Sequence, residues 1–221
     1  MVEFAVIRRN MVDTQLRTYD VTSKRLLDAV ESVEREHFVP EALRSLAYVD
    51  QAVTLVASDG EKRGLLAPMV LARMIQAADI EAGDKVLDVA GGSGYSAAIM
   101  AAMGASVSML ESSEAMAAIA RSSLEKAKIS GIAIAVGDIG AGLSQHGGFD
   151  VILVNGAMQA EPAKLLAQLN DGGRLIVVIG SGRSGRVTIF LRAGEAIGHH
   201  TVFDASVPAL EAFRQTSGFQ F

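Results

Sequence analysis

The sequence predicts an α/β fold: a mostly parallel sheet of seven strands, antiparallel strands at its C-terminal edge, and a helical extension at the N-terminus. Three observations carry this. Beyond about Asp84, short apolar runs alternate with helical stretches. A glycine-rich turn joins the first run to the first helix. The last two runs are separated only by Ala193-Gly194-Glu195. Strands alternating with helices imply parallel pairing through right-handed crossovers. A link as short as the last one cannot hold a crossover helix, so those two strands pair antiparallel.

Before Asp84 the pattern is mostly helical. Residues 12–17 and 23–33 carry apolar side chains at three- and four-residue spacings, with Thr22 or Ser23 placed to cap the second stretch. Val39-Pro40-Glu41 reads as a helix start with proline in the first turn. Residues 52–66 show weak periodicity around a turn at Ser58-Asp59-Gly60, and Ala67-Pro68 opens a helix reaching about Ala78. The strands expected next are residues 85–90, 106–111, 132–136, 149–155 and 174–180, with helices at 95–103, 113–128 and 161–169 between them. Residues 185–192 and 196–204 form the closing pair. The chain thus divides into an extension, residues 1–84, and a core, residues 85–221.

Composition narrows the function. The chain has 221 residues, half of them apolar, enough for one large domain with a real core. It has no cysteine, which excludes disulfides, thiolate metal sites and a cysteine nucleophile. With no secretory pattern in residues 1–10, this predicts a cytoplasmic protein. The most apolar run, residues 97–105, is too short to span a bilayer, so no membrane partner is expected. A net charge of −5 offers no basic footprint for nucleic acid. No ligand-spaced cluster of His, Asp and Glu predicts a metal, and His199-His200 are expected to face solvent near an edge strand. Nothing in the pattern sets the oligomeric state.

The chemistry concentrates at Val86-Leu87-Asp88-Val89-Ala90-Gly91-Gly92-Ser93-Gly94-Tyr95. A buried strand ends near an acid, turns through glycines and enters a helix. Such a turn lets a ligand lie on bare backbone at a helix N-terminus. The spacing Gly92-Ser93-Gly94-Tyr95-Ser96-Ala97 also fits a dinucleotide fingerprint, and Glu111, at the end of the second strand, suits ribose hydroxyls in either case. Two acids favour S-adenosyl-L-methionine. Asp88 is placed to meet an α-ammonium group and would repel a pyrophosphate. Asp138, after Gly137 at the end of the third strand, is placed for an adenine amino group. Read singly, each acid is equally a capping or turn residue; together they sit where open α/β sheets bind ligands. The expected cofactor contacts are Asp88, Ala90, Gly91, Gly92, Gly94, Tyr95, Glu111, Ser112, Asp138, Ile139 and Asn155. With the closing antiparallel strands, this defines a Rossmann-like class I methyltransferase fold.

The chain also resembles the protein-L-isoaspartate O-methyltransferase family over about residues 11 to 192. The resemblance rests on Met11-Val12-Asp13-Thr14-Gln15-Leu16-Arg17, on Arg35-Glu36-His37-Phe38-Val39-Pro40-Glu41-Ala42-Leu43, and on Leu46-Ala47-Tyr48. Ala67-Pro68, the glycine turn, Glu111, Gly137-Asp138 and Asp171-Gly172-Gly173-Arg174-Leu175 extend it. It implies methyl transfer from S-adenosyl-L-methionine, with S-adenosyl-L-homocysteine as product, to the stray carboxylate of a damaged aspartyl residue. The acceptor would be a protein or peptide carboxylate, or a small-molecule one. A carboxylate is already nucleophilic, so such catalysis is mainly alignment and desolvation.

Two departures qualify the implication. The family carries Thr-Ile-Ser before Ala-Pro, hydroxyls that bind the substrate carboxylate, and a histidine just after. Here those positions are Gly64-Leu65-Leu66 and Met69, so Leu66 stands where the substrate-binding serine would be. Arg63, just before, is the candidate replacement donor, or else a solvated loop charge. Ala90 replaces the first glycine of the turn, which is expected to require a negative φ there or a strained conformation absorbed by Gly91. The emptied acceptor segment equally suits a family member that binds the cofactor with lost or altered catalysis. Residues after about Gly198 match the family poorly, and the closing Phe219 and Phe221 are expected to dock as a packing element.

Overall fold

The structure, a computed structural model, describes residues 3–180 and 184–213; the closing aromatics lie outside the described residues. The first helix, α1 (Phe4–Met11), continues directly into a π-helical turn (Val12–Leu16), so the helical pattern expected at 12–17 is the tail of a longer element. Met11, Val12 and Leu16 are its buried anchors. In α2 (Lys24–Ser32) the Ser23 hydroxyl caps the Leu26 N–H at 3.4 Å, as the sequence suggests. Pro40 precedes a 3₁₀ stretch, Glu41–Leu46, rather than an α-helix.

The weakly periodic stretch 52–66 is a β-hairpin. β1 (Val53–Val56) and β2 (Lys62–Leu65) pair antiparallel, Val53 opposite Leu65 and Val56 opposite Lys62. Val53 and Leu55 point inward while Thr54 and Val56 face out, a period-2 pattern too short to stand out in the sequence. Helix α3 (Pro68–Ala77) follows, with proline in its first turn and Asp50 Oδ1 accepting the Met69 N–H at 3.0 Å.

The main sheet comprises β3 (Lys85–Val89), β4 (Ser106–Glu111), β5 (Ala133–Val136), β6 (Phe149–Met158), β7 (Leu169–Ile179), β8 (Arg186–Ala193) and β9 (Ala196–Asp204). Their spatial order is β5-β4-β3-β6-β7-β8-β9, parallel up to β7 and antiparallel at β7–β8 and β8–β9. Helices α4 (Tyr95–Ala102), α5 (Glu114–Lys126) and α6 (Ala163–Leu166) lie in the crossovers. The helix expected at 161–169 is a single turn, because β7 begins at Leu169 rather than near Arg174.

Strand alternation sorts the core into two layers. Val86, Val151, Leu153 and Ile176 join one buried cluster with Leu26, Leu71 and Ile75 of the N-terminal extension. Leu87, Val89, Ile152, Val154 and Leu175 form the other, beneath α6 and Leu210. The extension therefore roofs one face of the sheet. Strand order reverses at the C-terminal ends of β3 and β6, which opens the crevice where such sheets bind ligands.

After β9 the chain returns across this end of the sheet. The Ala157 N–H donates to the Pro208 carbonyl and the Leu210 N–H to the Ala157 carbonyl, each at 2.9 Å. Two glycines make room. A Cβ on Gly64 would lie 2.6 Å from Pro208 Cγ, and one on Gly156 would lie 2.6 Å from Leu210 Cγ.

Candidate active site

The glycine turn hangs between β3 and α4. Asp88, at the end of β3, is fully buried; its Oδ2 accepts from Ser96 Oγ at 2.7 Å and its Oδ1 from Asn155 Nδ2 at 2.6 Å. Asn155 Nδ2 also reaches the Val89 carbonyl at 3.2 Å, tying the ends of β3 and β6 together. Burial pushes the Asp88 carboxyl up to about 6 against those hydrogen bonds. Gly91 accommodates Asp88: a Cβ there would stand 2.3 Å from its Oδ2.

Ala90 adopts φ +58°, so the left-handed conformation falls on the alanine itself. The expected negative φ is corrected, and Gly91 does not absorb the strain in its place, being absent from the positive-φ positions. Gly92 (φ +64°) and Gly94 (φ +85°) share the left-handed region. Gly94 forms the N-cap of α4, close to Leu124 and Met109. Tyr95 begins that helix but turns its ring toward the extension, 4.7 Å from the Arg35 guanidinium carbon and 5.4 Å from the Phe38 ring. Only its backbone borders the turn.

Glu111 ends β4 with its side chain fully buried. The Gly92 N–H donates to its Oε1 at 2.6 Å, while its Oε2 has no hydrogen-bond partner among the described residues. Burial raises its carboxyl to about 7, and Arg63 opposes that rise. Ser93 Oγ, in the same turn, is a second buried polar atom without a partner among the described residues.

Arg63 is not a solvated loop charge. It is buried on β2, and its Nη2 donates to Ser112 Oγ at 2.6 Å and Glu61 Oε1 at 2.7 Å, 3.5 Å from Glu111 Oε2. Its stem lies over the glycine turn beside Leu55: a Cβ on Gly92 would be 3.0 Å from Arg63 Cγ and 2.8 Å from Leu55 Cδ1. The Nη2 of the donor offered as a replacement for the lost hydroxyls is thus engaged by its own chain, while its Nε is buried without a partner among the described residues. Leu66 is buried, and its carbonyl accepts Arg35 Nη2 at 2.8 Å.

Asp138 is exposed in a turn, its Oδ1 accepting the Gly140 N–H at 2.8 Å, and the neighbouring Ile139 is buried. A cavity of about 730 Å³ opens beside these elements, lined among others by Glu61, Arg63, Ser112, Ile139 and Pro208. Asp88, Glu111, Ser112, Ile139 and Asn155 are thereby gathered at one end of the sheet. Among the described residues no His, Cys, Asp and Glu group could hold a metal.

Sequence reasoning missed Ser96 and Glu61. Ser96 is the one serine of α4, a helix otherwise made of Tyr, Ala, Ile and Met. Glu61 lies two residues before Arg63, the spacing that puts both on one side of an extended chain. It accepts from Ser112 Oγ at 2.5 Å and from Ser113 Oγ at 2.9 Å, fastening the hairpin to the start of α5.

The topology and the gathered crevice define a Rossmann-like class I methyltransferase fold. Two solved structures share it: a protein-L-isoaspartate O-methyltransferase (TM-score 0.80, 24% identity, 92% of this chain and 65% of that one) and a protein from Plasmodium falciparum described as a protein-L-isoaspartate O-methyltransferase in complex with S-adenosyl-L-homocysteine (TM-score 0.79, 18% identity, 96% of this chain and all of that one). The family model for protein-L-isoaspartate(D-aspartate) O-methyltransferase matches residues 7–205, and the chain belongs to that family. Protein-L-isoaspartate O-methyltransferases of Koribacter versatilis and a Roseiflexus species are 38% and 37% identical to it. Those matches cover 80% and 86% of this chain, and 78% and 85% of the respective relatives.

Proposed function

We propose that the protein is an S-adenosyl-L-methionine-dependent O-methyltransferase acting on the carboxylate of a damaged aspartyl residue in a protein or peptide, or on a related small carboxylate. The observation that carries this reading is the pair of unsatisfied buried oxygens, Glu111 Oε2 and Ser93 Oγ, beside the glycine turn of a family member. Buried polar atoms normally find partners, so these two point to a polar ligand. The residues present suit the cofactor. Glu111 would accept its ribose hydroxyls, Asp88 its ammonium group, and Ser112, Asp138 and Ile139 would border its adenine. Ala90, Gly91, Gly92, Gly94, Asn155 and the Tyr95 backbone would frame its amino-acid end.

When bound, the cofactor supplies an electrophilic methyl group on a sulfonium. The chain's own task is then alignment and water exclusion, because a carboxylate acceptor needs no base. Gly64, Ile139, Pro208 and Ala209 form an apolar wall of the cavity suited to that exclusion. They offer no side-chain donor to hold a carboxylate, so the acceptor must be positioned by contacts other than the family's hydroxyls. The same wall favours a second reading, a cofactor-binding family member with lost or altered catalysis. A cytoplasmic setting, in keeping with a chain free of cysteine, belongs to the same proposal. No helix among the described residues is long and apolar enough to cross a membrane.

Transfer of labelled methyl to an isoaspartyl peptide, with small carboxylic acids as parallel acceptors, tests the proposal. Incorporation into the peptide supports repair chemistry. Incorporation only into small acids redirects the acceptor, and none at high peptide and cofactor concentration leaves the second reading.

A further inference from the structure

Arg63 occupies an unusual position. It is an almost fully buried cation whose hydrogen bonds go to Glu61 and Ser112, yet its charge sits 3.5 Å from Glu111 Oε2, beyond hydrogen-bonding distance. Glu111 consequently has a cation beside it without surrendering its second oxygen. We infer that Arg63 is a positioning residue of the cofactor site, keeping Glu111 ionised while leaving Oε2 open for a ligand hydroxyl. The inference rests on the cofactor reading above and assigns Arg63 to the cofactor side of the site, not to the acceptor.

The geometry separates the two tasks a ribose-binding acid must perform. To accept hydroxyl hydrogen bonds strongly, the carboxylate must be charged. Burial alone would neutralise it. Donors bonded to both oxygens would hold the charge but block the ligand. Here Gly92 N–H takes Oε1, and a cation held by other partners supplies the field at Oε2. The clamp is built for this: Glu61 Oε1 accepts from Arg63 and Ser112, and Glu61 Oε2 accepts from Ser113, so the β1–β2 hairpin is fixed against the start of α5. The charged groups facing Glu111 are Arg63 from β2, Glu61 from the turn before it and Asp88 from β3. Arg63 opposes the neutralising effect of burial, whereas Asp88 and Glu61 add to it.

Opposite substitutions at the two ends of the clamp should therefore move the pH dependence of ligand affinity in opposite directions. The measurement is the dissociation constant of S-adenosyl-L-homocysteine by calorimetry, from about pH 5.5 to about pH 9; the ligand's own amino group titrates toward the alkaline end identically for every protein and drops out of the comparison between them. The proteins are the wild type, Arg63→Gln, Arg63→Lys and Glu61→Gln, each checked for native circular dichroism. In the wild type, affinity weakens as Glu111 takes up its proton near pH 7. In Arg63→Gln the midpoint rises by at least about one pH unit, making binding at least about fivefold weaker at pH 7. Arg63→Lys, which keeps the charge, stays close to the wild type. Glu61→Gln lowers the midpoint, because an anion near Glu111 is removed and Arg63 remains. Opposed shifts support the inference. Loss of affinity that is uniform across pH, or midpoints of Arg63→Gln and Glu61→Gln that do not part, overturns it while leaving the cofactor reading intact. Absence of binding by the wild type at every pH removes both. Should Arg63→Gln fail to fold, the direction of the Glu61→Gln shift decides alone.

Discussion

Replacing Asp88 with asparagine should make the ligand-free protein more stable at alkaline pH while weakening its affinity for the cofactor. Asp88 is fully buried, takes part in no ion pair among the described residues, and is held only by neutral donors such as Ser96 and Asn155. An amide fits the same space: its oxygen can accept from Asn155 and its NH₂ can donate to the Ser96 hydroxyl. What changes is the charge. Burial raises the carboxyl from 3.8 to about 6 in the folded chain, a difference equivalent to about 3 kcal/mol. A group whose pKa is higher when folded favours the folded state fully below its unfolded pKa, and that contribution disappears as pH climbs through the folded value. The wild type therefore loses about 3 kcal/mol relative to Asp88→Asn between about pH 4 and about pH 8, all of it above the unfolded pKa. Urea unfolding of both proteins at the two pH values reads this directly. A stability difference that stays constant with pH would refute the argument, as would an Asp88→Asn protein less stable than the wild type at the higher pH only. Calorimetry with S-adenosyl-L-homocysteine supplies the other half: removing the carboxylate proposed to face the ammonium should weaken binding by at least about tenfold.

Three further substitutions probe the surroundings. Ala90→Gly should fall within about 1 kcal/mol of the wild type, since release of left-handed strain is offset by a lost buried methyl and a looser unfolded chain, whereas Ala90→Val should cost more than about 2 kcal/mol; urea midpoints distinguish them. Gly156→Val places a side chain where Leu210 now packs, 2.6 Å from its Cγ, and should free residues 205–213 to limited proteolysis without unfolding the sheet. Arg35 stacks on Tyr95 and donates to the Ala47 and Leu66 carbonyls from a fully buried position. Lysine cannot reproduce that fork, so Arg35→Lys should lower stability by about 2–4 kcal/mol in the same urea assay.

The strands of the main sheet and their mostly parallel direction, though not their spatial order, were legible because its central strands are buried on both faces and read as continuous apolar runs, Val86-Leu87 and Val151-Ile152-Leu153-Val154 among them. The antiparallel ending followed from the shortness of Ala193-Gly194-Glu195. The hairpin at 53–65 was not legible: its strands are four residues each, and one carries Lys62 and Arg63. Asp88, Glu111 and Asn155 could be picked out because strand ends at a switch point are placed by topology. The partners of Arg63 could not, since Ser112 lies 49 residues away and only the hairpin brings them together. Nor could the seats of Pro208 and Leu210 opposite Gly64 and Gly156, where a missing Cβ has meaning only once the distant segment is in place. At Ala90 the expectation failed for a local reason: the β3–α4 turn imposes φ +58° whichever residue occupies it.

The most direct test of the account is a calorimetric comparison of S-adenosyl-L-homocysteine with NADH on the wild-type protein at about pH 8, where Asp88 and Glu111 are both ionised. The account predicts one-to-one binding of S-adenosyl-L-homocysteine, at least about tenfold weaker in Asp88→Asn, and no heat from NADH. Binding of NADH alone, or of neither ligand, would contradict it.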